Sequence, residues 1–321
     1  MEPSRVLVTG GVGFLGAHLC RELLRQGHEV TCYDLLDGDL VNPATARELR
    51  AYPKFRFVKG DILRPRSLRR RMTGHAVVIH CAAVASVDRS LKLPHKAVEV
   101  NVIGTLNVLE AARESGVPRV HYVSTDEVWG EIAEGAFTES SPAHPRNPYA
   151  AGKAGGEAVA LAWGTTFGID VTVTNSCNTY GPFQKPDKLV PRSIVRAIRG
   201  QRLTVYGDGQ HVREWVHVDD HVAAILLVLE KGTLGERYCV GTGERFTALE
   251  VVRMVGDHFG CPEDRIEYQY DRMVNDRRYA LDATKLRELG WSPTYDFEKG
   301  LIQTLEWYEH NEKWWRHFGS R

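Results

Sequence analysis

Apolar runs and amphipathic stretches alternate along the first half of the chain. Six short runs rich in β-branched and aromatic residues predict β-strands: RVLVTG, EVTCYD, FRFVKGD, AVVIHCA, RVHYVST and DVTVTNS. The stretches between several of them place apolar residues at helical spacing, as in GAHLCRELLRQG, NVIGTLNVLEAARESG and YAAGKAGGEAVALAWGTTFG. This alternation predicts an α/β fold, a doubly wound parallel sheet with helices on both faces. Ligands of such sheets bind beyond the carboxyl ends of the strands.

The pattern changes after about residue 180. A loop and a helix lead into the short strands LTVYGDG and REWVHVDD and the helix HVAAILLVLEKG, whereas residues 262–295 are polar and irregular. We expect a first domain at 1–178 and a smaller C-terminal α/β substrate-binding domain at 179–321, with 214–240 packing back on the first. The terminal TLEWYEHNEKWWRHF predicts an amphipathic helix whose tryptophans make packing or subunit contacts.

Composition narrows the possible partners. Of the 321 residues, 41 are Lys or Arg and 41 are Asp or Glu, so the balanced charge argues against nucleic acid or a membrane surface as a partner. The six cysteines are scattered without a CxxC pair or zinc spacing, which predicts reduced, buried thiols and no metal site. Because no charged-then-apolar leader and no membrane-length apolar run is present, we expect a cytoplasmic protein.

A glycine-rich turn follows the first predicted strand and opens a helix. Gly10, Gly13 and Gly16 form G-x-x-G-x-x-G, which lets backbone N–H groups and the helix N-terminus approach a pyrophosphate. Asp34 ends the second strand, where a carboxylate accepts from the ribose hydroxyls and repels a 2′-phosphate. We therefore predict a Rossmann-type site for NAD, with a purely structural glycine turn as the alternative. The other predicted cofactor-binding residues are Phe14, Leu15, Asp61, Ile62, Ala82, Ala83, Asn101, Tyr149 and Lys153.

Two further motifs carry candidate catalytic groups. Tyr149 and Lys153 form Y-x-x-x-K, which places them one helical turn apart, where the ammonium can lower the pKa of the phenol. Thr125, Asp126 and Glu127 lie at the end of the predicted strand RVHYVST, which precedes this helix in the chain. Mutual repulsion between the adjacent carboxylates favours one protonated and one ionised group, as an acid and a base require. The alternative for these carboxylates is a turn or helix-cap pair.

These motifs give the chain a family resemblance. TGGVGFLGAH, NVIGTLNVLEAAR, STDEVWG, NPYAAGKA, YGDGQHVREWVHVDDH and DRRYALD are similar to extended short-chain dehydrogenase/reductases, and among them to the nucleoside-diphosphate-glucose (dTDP-glucose) 4,6-dehydratases. The resemblance implies NAD-dependent dehydration of a nucleotide-linked hexose, with dTDP-glucose as the expected substrate, to the 4-keto-6-deoxy sugar. It also implies a homodimer formed through the helices that begin near Asn101 and Tyr149.

The resemblance assigns roles to the motif residues. Tyr149, assisted by Thr125, acts as base on O4 during hydride removal from C4, Glu127 removes the C5 proton, and Asp126 protonates the leaving C6 hydroxyl. The cofactor then returns its hydride to C6. The expected substrate contacts are Ser86, Arg89, Thr125, Asn178, Lys188, Leu189, Val205, Tyr206, Arg213 and Arg272. For each lone Arg or Lys the alternative is a solvated surface charge.

Three stretches depart from the family pattern. Val84, Ala85 and Ser86 replace Glu-Ser-His, Trp129 replaces a Tyr, and residues 272–276 read RMVND in place of RPGHD. The first two flank the expected sugar pocket and the third lies in the expected diphosphate clamp, so the sugar and the nucleotide base stay open. The alternative enzyme is a nucleotide-sugar 4-epimerase or a UDP-glucuronate decarboxylase. Neither of these reactions needs an acid to expel the 6-hydroxyl, which distinguishes both from a dehydratase. A non-catalytic nucleotide-binding scaffold is a third possibility.

Overall fold

The computed structural model describes residues 2–319. The strands of this range are β1 (Arg5–Thr9), β2 (Glu29–Asp34), β3 (Phe55–Lys59), β4 (Val77–His80), β5 (Arg119–Thr125), β6 (Asp170–Ser176), β7 (Asn178–Tyr180), β8 (Leu203–Tyr206), β9 (Val212–His217), β10 (Arg237–Val240), β11 (Arg245–Thr247) and β12 (Ile266–Gln269). The α-helices are α1 (Phe14–Arg25), α2 (Pro43–Leu49), α3 (Pro65–Met72), α4 (Val87–Lys92), α5 (Pro94–Val98), α6 (Gly104–Glu114), α7 (Pro148–Phe167), α8 (Leu189–Ile198), α9 (Val218–Lys231), α10 (Ala248–His258), α11 (Thr284–Glu288), α12 (Phe297–His310) and α13 (Glu312–Trp315).

Seven parallel strands form the main sheet, in the order β3-β2-β1-β4-β5-β6-β10. The six strands predicted in the first half of the chain are β1 to β6, and the doubly wound α/β fold is confirmed. The order reverses between β1 and β4, which opens a crevice at their carboxyl ends. β5 and β6 run side by side from Arg119 to Thr125, so their ends reach the same edge of the sheet.

The two faces of the sheet are covered by different helices, because successive residues of a strand point to opposite sides. Val6 and Val8 of β1 pack with α1, α2 and α9, whereas Leu7 packs with α3, α6 and α7. All three side chains are fully buried. The alternation therefore divides the core into two layers around one sheet.

Helix α7 lies very close to the helical turn Glu99–Ile103 that precedes α6. A Cβ at Gly156 would lie 2.4 Å from the Asn101 carbonyl oxygen and 2.5 Å from the Tyr122 hydroxyl. Because real Cβ contacts are longer, glycine is required for this approach. The close packing fixes the helix that carries Tyr149 and Lys153 against the sheet.

A smaller lobe forms from the remaining elements. It contains the three-stranded sheet β11-β9-β7 and the pair β12-β8, with a core shared by α8, α10 and α12. Between β9 and β11 the chain returns to the first lobe. There α9 packs on α1, and β10 pairs with β6 at the edge of the main sheet. The main sheet is thus assembled from two separate stretches of sequence.

The C-terminal segment was predicted as one amphipathic helix, but the structure breaks it. Helix α12 ends at His310, and Asn311 adopts φ −119° and ψ 39° before α13 begins. The break lets Trp307 and Trp314 both contact the ring of Phe183, at centroid distances of 4.5 and 5.6 Å. These tryptophans pack within the chain.

Within residues 2–319 none of the helices combines the length and the apolar character needed to cross a bilayer. The same residues contain no group of three or more His, Cys, Asp or Glu side chains arranged to hold a metal ion. All six cysteines are free thiols, and four of them are buried.

Candidate active site

A deep cleft of about 630 Å³ lies at the carboxyl edge of the main sheet and continues into the smaller lobe. Its size is typical of a cleft that encloses a small molecule. Of the residues predicted for the cofactor and substrate sites, the following line it: Gly10, Gly13, Phe14, Leu15, Gly16, Asp34, Asp61, Ile62, Ala82, Ala83, Ser86, Arg89, Thr125, Asp126, Glu127, Tyr149, Lys153, Asn178, Lys188, Leu189, Tyr206, Arg213 and Arg272. Asn101 and Val205 lie elsewhere.

The turn between β1 and α1 exposes bare backbone to the cleft. Gly10 has φ +69°, and a Cβ there would lie 2.8 Å from the Ala82 nitrogen. A Cβ at Gly16 would lie 2.2 Å from the Gly10 carbonyl oxygen. Helix α1 begins at Phe14 with no side chain capping its N-terminus, so its first N–H groups are available to an anion. This turn therefore fits the pyrophosphate of a dinucleotide.

Asp34 stands at the end of β2, beside that turn. Its carboxylate accepts from the backbone N–H groups of Val12 (3.2 Å) and Leu36 (2.8 Å), which hold it at the mouth of the cleft. Burial raises its pKa, and the two backbone hydrogen bonds act in the opposite direction. A carboxylate fixed in this position can accept from ribose hydroxyls and repels a 2′-phosphate, so the site fits NAD.

Asn101 lies behind the cleft wall. Its amide is 1% exposed and forms hydrogen bonds with both the N–H (2.8 Å) and the carbonyl (3.3 Å) of Val84. Through these bonds it shapes the segment after β4 that contains Ala82 and Ala83. Asn101 therefore supports the wall of the predicted cofactor site from behind.

The candidate acid and base leave the sheet at the end of β5. Thr125 is the last residue of the strand, and residues 126–129 turn sharply as a 3-10 helix. The Thr125 hydroxyl donates to Asp126 Oδ1 at 3.1 Å and accepts from the Glu127 N–H at 3.3 Å. Asn147 Nδ2 donates to Glu127 Oε2 at 3.0 Å. The two carboxylates thus have different partners although they are adjacent in sequence.

Burial sets the protonation of this pair. It raises the pKa of Asp126 well above its usual value, and the neighbouring Glu127 raises it further. Burial also raises the pKa of Glu127, but the Asn147 hydrogen bond favours its ionised form. Asp126 lines the cleft, and its Oδ2 atom has no hydrogen-bond partner within residues 2–319. Asp126 is therefore the better proton donor and Glu127 the better base.

Tyr149 and Lys153 enter the cleft from α7. The Ser90 hydroxyl accepts from the Tyr149 backbone N–H at 3.1 Å, and Asn147 caps the helix through the Ala150 N–H at 2.8 Å. Lys153 Nζ donates to the Val123 carbonyl at 2.5 Å and lies 4.0 Å from the centre of the Tyr122 ring. Helix α7 therefore aims both groups at the end of β5.

The expected lowering of the Tyr149 pKa is not seen in this structure. Burial raises the pKa of Tyr149, and the nearby Glu127 raises it further, while a hydrogen bond with Thr125 opposes both. Burial lowers the pKa of Lys153 to about 8. Desolvation thus outweighs the attraction between the two groups that the motif suggests.

The outer end of the cleft is rich in cations. Arg213 donates to Asn275 Oδ1 at 3.0 Å and lies over the Tyr279 ring at 4.5 Å. Arg272 lies 4.9 Å from the centre of the Tyr206 ring. Lys188, which reaches the Ala85 carbonyl at 2.9 Å, and Asn178 and Leu189 complete this region. Clustered guanidinium and ammonium groups match a diphosphate.

Three details correct or extend the sequence-based prediction of substrate contacts. Val205 is fully buried in the core of the smaller lobe, so it does not present a surface to a base. Ser86 accepts from the Arg89 N–H at 3.3 Å as the cap of α4. The Arg89 guanidinium lies 3.7 Å from the Asp37 carboxylate. The latter two side chains are held at the cleft rim by these contacts.

Trp129 does not flank the sugar pocket. Its side chain is 3% exposed, stacks on Phe137 at 5.7 Å and donates through its indole N–H to the Ser141 carbonyl at 3.0 Å. The residue therefore anchors the loop after Glu127 and is not a substrate contact. Its ring belongs to a buried cluster with Val128, Cys177 and Val216.

Several residues of the cleft escaped prediction from the sequence. Asn147 is the most informative, because it binds Glu127 and caps α7 at the same time. An Asn immediately before a Pro at a helix start is a recognisable cap signal, but its second hydrogen bond depends on the tertiary fold. Arg192, His211 and Tyr279 also line the cleft; the latter two lie within the family motifs YGDGQHVREWVHVDDH and DRRYALD but were not singled out there.

Known proteins match this chain along most of its length. The family model for GDP-mannose 4,6 dehydratase matches residues 7–304. A dTDP-glucose 4,6-dehydratase from Streptomyces niveus is 44% identical over 320 residues, covering 97% of this chain and 94% of that protein. Another from Streptomyces griseus is 42% identical over 317 residues, covering 97% and 96%.

Solved structures agree with these matches. A dTDP-glucose 4,6-dehydratase from Streptomyces venezuelae with NAD bound has a TM-score of 0.95 and 43% identity, covering 98% of this chain and 100% of that one. A UDP-glucose 4-epimerase from Thermotoga maritima has a TM-score of 0.89 and 31% identity, covering 96% and 99%. The chain therefore belongs to the GDP-mannose 4,6-dehydratase family of the extended short-chain dehydrogenase/reductases.

Proposed function

We propose that this chain is an NAD-dependent nucleotide-sugar 4,6-dehydratase, a hydro-lyase whose substrate is dTDP-glucose. One observation carries the proposal: two adjacent carboxylates with different partners, the buried Asp126 and the partly buried Glu127, face the same cleft as Tyr149 and Lys153. Epimerisation or decarboxylation needs the tyrosine and the lysine but no acid to expel a hydroxyl. The similar dTDP-glucose 4,6-dehydratases from Streptomyces support the same conclusion.

The cofactor site has the shape and chemistry that NAD requires. Gly10, Gly13 and Gly16 and the N-terminus of α1 would hold the pyrophosphate, and Asp34 would hold the adenosine ribose. When bound, NAD accepts a hydride from sugar C4 and returns it to C6, so no external reductant is consumed. Ala82 and Ala83 leave room along the wall for the dinucleotide.

The first chemical task of the chain is to remove the proton of the sugar O4 hydroxyl. Tyr149 is the base, and Thr125 is within hydrogen-bonding reach of its phenol. Lys153, with a pKa of about 8, is mostly protonated near neutral pH and supplies the positive charge that stabilises a phenolate. Its bond to the Val123 carbonyl keeps that charge at the end of β5.

The second task is to remove water across C5 and C6. A 4-keto group acidifies the C5 proton, and Glu127, ionised with help from Asn147, takes that proton. Asp126, kept protonated by burial and by its neighbour, gives its proton to the departing C6 hydroxyl. The atoms balance, because one proton leaves C5 and one joins the hydroxyl to form water. As the hydride is returned to C6, Glu127 gives a proton, exchanged with solvent, back to C5, and Asp126 regains through solvent the equivalent of the proton that Tyr149 took from O4.

The proposal is tested by incubating the protein with NAD and a panel of nucleotide-linked hexoses that includes dTDP-glucose, UDP-glucose and UDP-glucuronate in deuterated water. We expect dTDP-glucose to lose one water and to gain solvent deuterium at C5. Conversion without a change in mass would indicate a 4-epimerase, and release of carbon dioxide would indicate a decarboxylase. A lack of turnover on the whole panel would favour a binding scaffold, and each of these three results overturns the proposal.

We further propose a homodimer that works in the cytoplasm. The helical turn Glu99–Ile103 and helix α7 lie together, and Val98, Ile103 and Phe167 are 45%, 47% and 46% exposed. A second copy would cover these apolar side chains. Six free thiols suit a reducing compartment. Sedimentation of the parent and of Ile103→Glu tests the dimer, because a charge at this position should yield monomers.

A further inference from the structure

Glu157 is a buried carboxylate that the proposed reaction does not use. It follows Lys153 by four residues and Tyr149 by eight on α7, so the three side chains share one face of the helix. Only 3% of Glu157 is exposed. A carboxylate at this depth is costly unless it is paired and hydrogen-bonded, so its partners indicate what it does.

The partners of Glu157 connect α7 to two strands. The guanidinium of Arg237 on β10 forms an ion pair with Oε1. Asn175 on β6 donates its amide to Oε2 at 2.8 Å. The same amide group also donates to the Thr125 carbonyl at 3.2 Å. Glu157 therefore reaches the last carbonyl of β5 through one intervening side chain.

That carbonyl controls where the acid leaves the sheet. β4 accompanies β5 only as far as Tyr122, so the last residues of β5 have β6 alone as a neighbouring strand. Thr125 is extended, with φ −150° and ψ 156°, and Asp126 starts the sharp turn that follows. A hydrogen bond to the Thr125 carbonyl fixes the plane of the Thr125–Asp126 peptide. The direction of the Asp126 side chain depends on this plane.

We infer that Glu157 is a positioning residue that acts through Asn175 to hold the Thr125–Asp126 peptide in register with Tyr149 and Lys153. The inference rests on the proposed function. Oxidation at C4 and water loss at C5 and C6 must both occur on one bound sugar, so the two sets of groups need a fixed separation. A displacement of about 1 Å can cost about 100-fold in rate. Without the link, the base Tyr149 and Lys153 keep their places on α7 and oxidation is disturbed only through the assisting Thr125, whereas dehydration loses the alignment of its acid.

Variants that cut the link at either end test this inference. We expect Glu157→Ala and Asn175→Ala to slow water loss by about 10- to 100-fold and C4 oxidation by less than about threefold, so that reduced cofactor accumulates on the enzyme. Glu157→Gln keeps an oxygen that can accept from Asn175, and we expect it to stay within about fivefold of the parent. Should Glu157→Ala fail to fold, Asn175→Ala, which removes no charge, gives the same readout.

Glu110→Ala is the matched control. Glu110 on α6 accepts from Trp163 on α7 and from Arg113. Like Glu157, it connects α7 to a neighbouring element, in this case α6, but it has no hydrogen-bonded link to β5. Its loss should lower the Tm and leave the ratio of the two rates unchanged. Equal slowing of both steps in Glu157→Ala, or parent rates with only a lower Tm, would show a merely structural ion pair and overturn the inference.

A readout that needs no turnover separates this inference from the proposed function. Amide hydrogen exchange at residues 126–129 should accelerate in Glu157→Ala and Asn175→Ala but not in Glu110→Ala. If the parent dehydrates no nucleotide sugar, the proposed function fails while this measurement still decides the positioning role. Unchanged protection in both variants would overturn that role.

Discussion

At the scale of single residues, the proposed roles of Asp126 as acid and Glu127 as base follow from their surroundings. Glu127 receives a hydrogen bond from Asn147, a donor that favours the ionised form. Asp126 Oδ1 accepts from the Thr125 hydroxyl, and its Oδ2 has no partner in the part of the chain that the structure describes. Two groups of similar intrinsic acidity are thereby separated into a base and an acid.

Asp126→Asn should separate oxidation from dehydration. The amide keeps the shape of the side chain but cannot supply a proton, so water loss should fall by about 100- to 10,000-fold while C4 oxidation stays within about threefold. Rapid mixing with dTDP-glucose, followed by nicotinamide absorbance and product mass, measures both steps. Dehydration at the parent rate would mean that another group supplies the proton.

The residues of the site could be predicted to different degrees. Gly10, Asp34 and Tyr149 belong to local motifs whose chemistry is visible in a few neighbouring letters, and the fold places them in one cleft. Asn147 and Glu157 act through partners that are distant in sequence, so no local pattern identifies them. Val205 and Trp129 were misjudged because burial is a property of the packed lobe.

At the scale of elements, α7 depends on glycine at the positions where it touches the helical turn before α6. Gly156→Ala would place a methyl group within 2.4 Å of the Asn101 carbonyl oxygen, so α7 must shift. We expect a loss of about 1–3 kcal/mol in the free energy of unfolding, together with reduced C4 oxidation as Tyr149 and Lys153 move. Urea unfolding and a single-turnover assay measure these effects.

Gly38→Ala is the control for that change. A Cβ at Gly38 would meet nothing within 4 Å, and its backbone is not left-handed. This variant should keep the parental stability within about 0.5 kcal/mol. Equal behaviour of the two alanine variants would contradict the tight packing of α7.

Three buried histidines tie the stability of the fold to pH. Burial lowers the pKa of His80 on β4, His121 on β5 and His221 on α9 to about 3 in each case. Since an unfolded histidine has a pKa of about 6.5, the unfolded chain binds protons below that pH and the folded chain does not. The folded state should therefore lose stability as pH falls from about 6.5 toward about 3, by about 1.4 kcal/mol per pH unit for each histidine.

The slope of this pH dependence can be assigned to one residue. His121 contacts the hydroxyls of Thr172 and Thr174 at 2.9 and 3.0 Å in the centre of the sheet. His121→Gln should reduce the slope between about pH 6 and pH 5 by about 1.4 kcal/mol per unit, whatever its effect on stability at neutral pH. Urea titrations at each pH decide the matter.

The elements of the first half were predictable because hydrophobic periodicity and strand composition agree there. β7 and β11 have three residues each, too few to display a period. The end of α12 at Asn311 also lacks a local signal, since the apolar spacing continues into α13. The break allows Trp307 and Trp314 to pack together on Phe183, a contact that depends on the tertiary fold.

At the scale of the whole molecule, one ion pair joins the lobes across the cleft. Arg272 Nε lies 2.8 Å from Asp88 Oδ1, and Arg272 Nη2 donates to Oδ2 at 3.1 Å. Arg272 comes from the loop after β12 and Asp88 from α4 of the first lobe. A diphosphate that binds Arg272 must compete with this carboxylate.

Asp88→Asn should therefore strengthen substrate binding. A half-exposed ion pair is worth only about 0.2–1 kcal/mol, so KM should fall by at most about fivefold with kcat little changed. Asp208→Asn is the control, because Asp208 pairs with Arg277 at 2.8 and 2.9 Å in the same loop region without crossing the cleft. A higher KM in Asp88→Asn would mean that the carboxylate prepares Arg272 for the substrate.

The arrangement of the lobes was less accessible from the sequence than the first six strands. Residues 214–240 were expected to pack back on the first domain, but the sequence does not show that RYCV within this range is the outer strand β10 of the main sheet. Helix α9 presents Val222, Ile225 and Leu229 to α1, but an apolar face does not name its partner. Long-range pairing of this kind lies outside local patterns.

The return of α9 and β10 has a consequence for synthesis of the chain. The sheet and its helical cover use residues from Arg5 to Val240, so they cannot be completed until that last strand has left the ribosome. Until then the outer edge of β6 has no strand beside it and α1 lacks part of its apolar cover, which are features that invite aggregation. A shielding factor during translation would matter most for this interval, and the cofactor cleft would form late in folding.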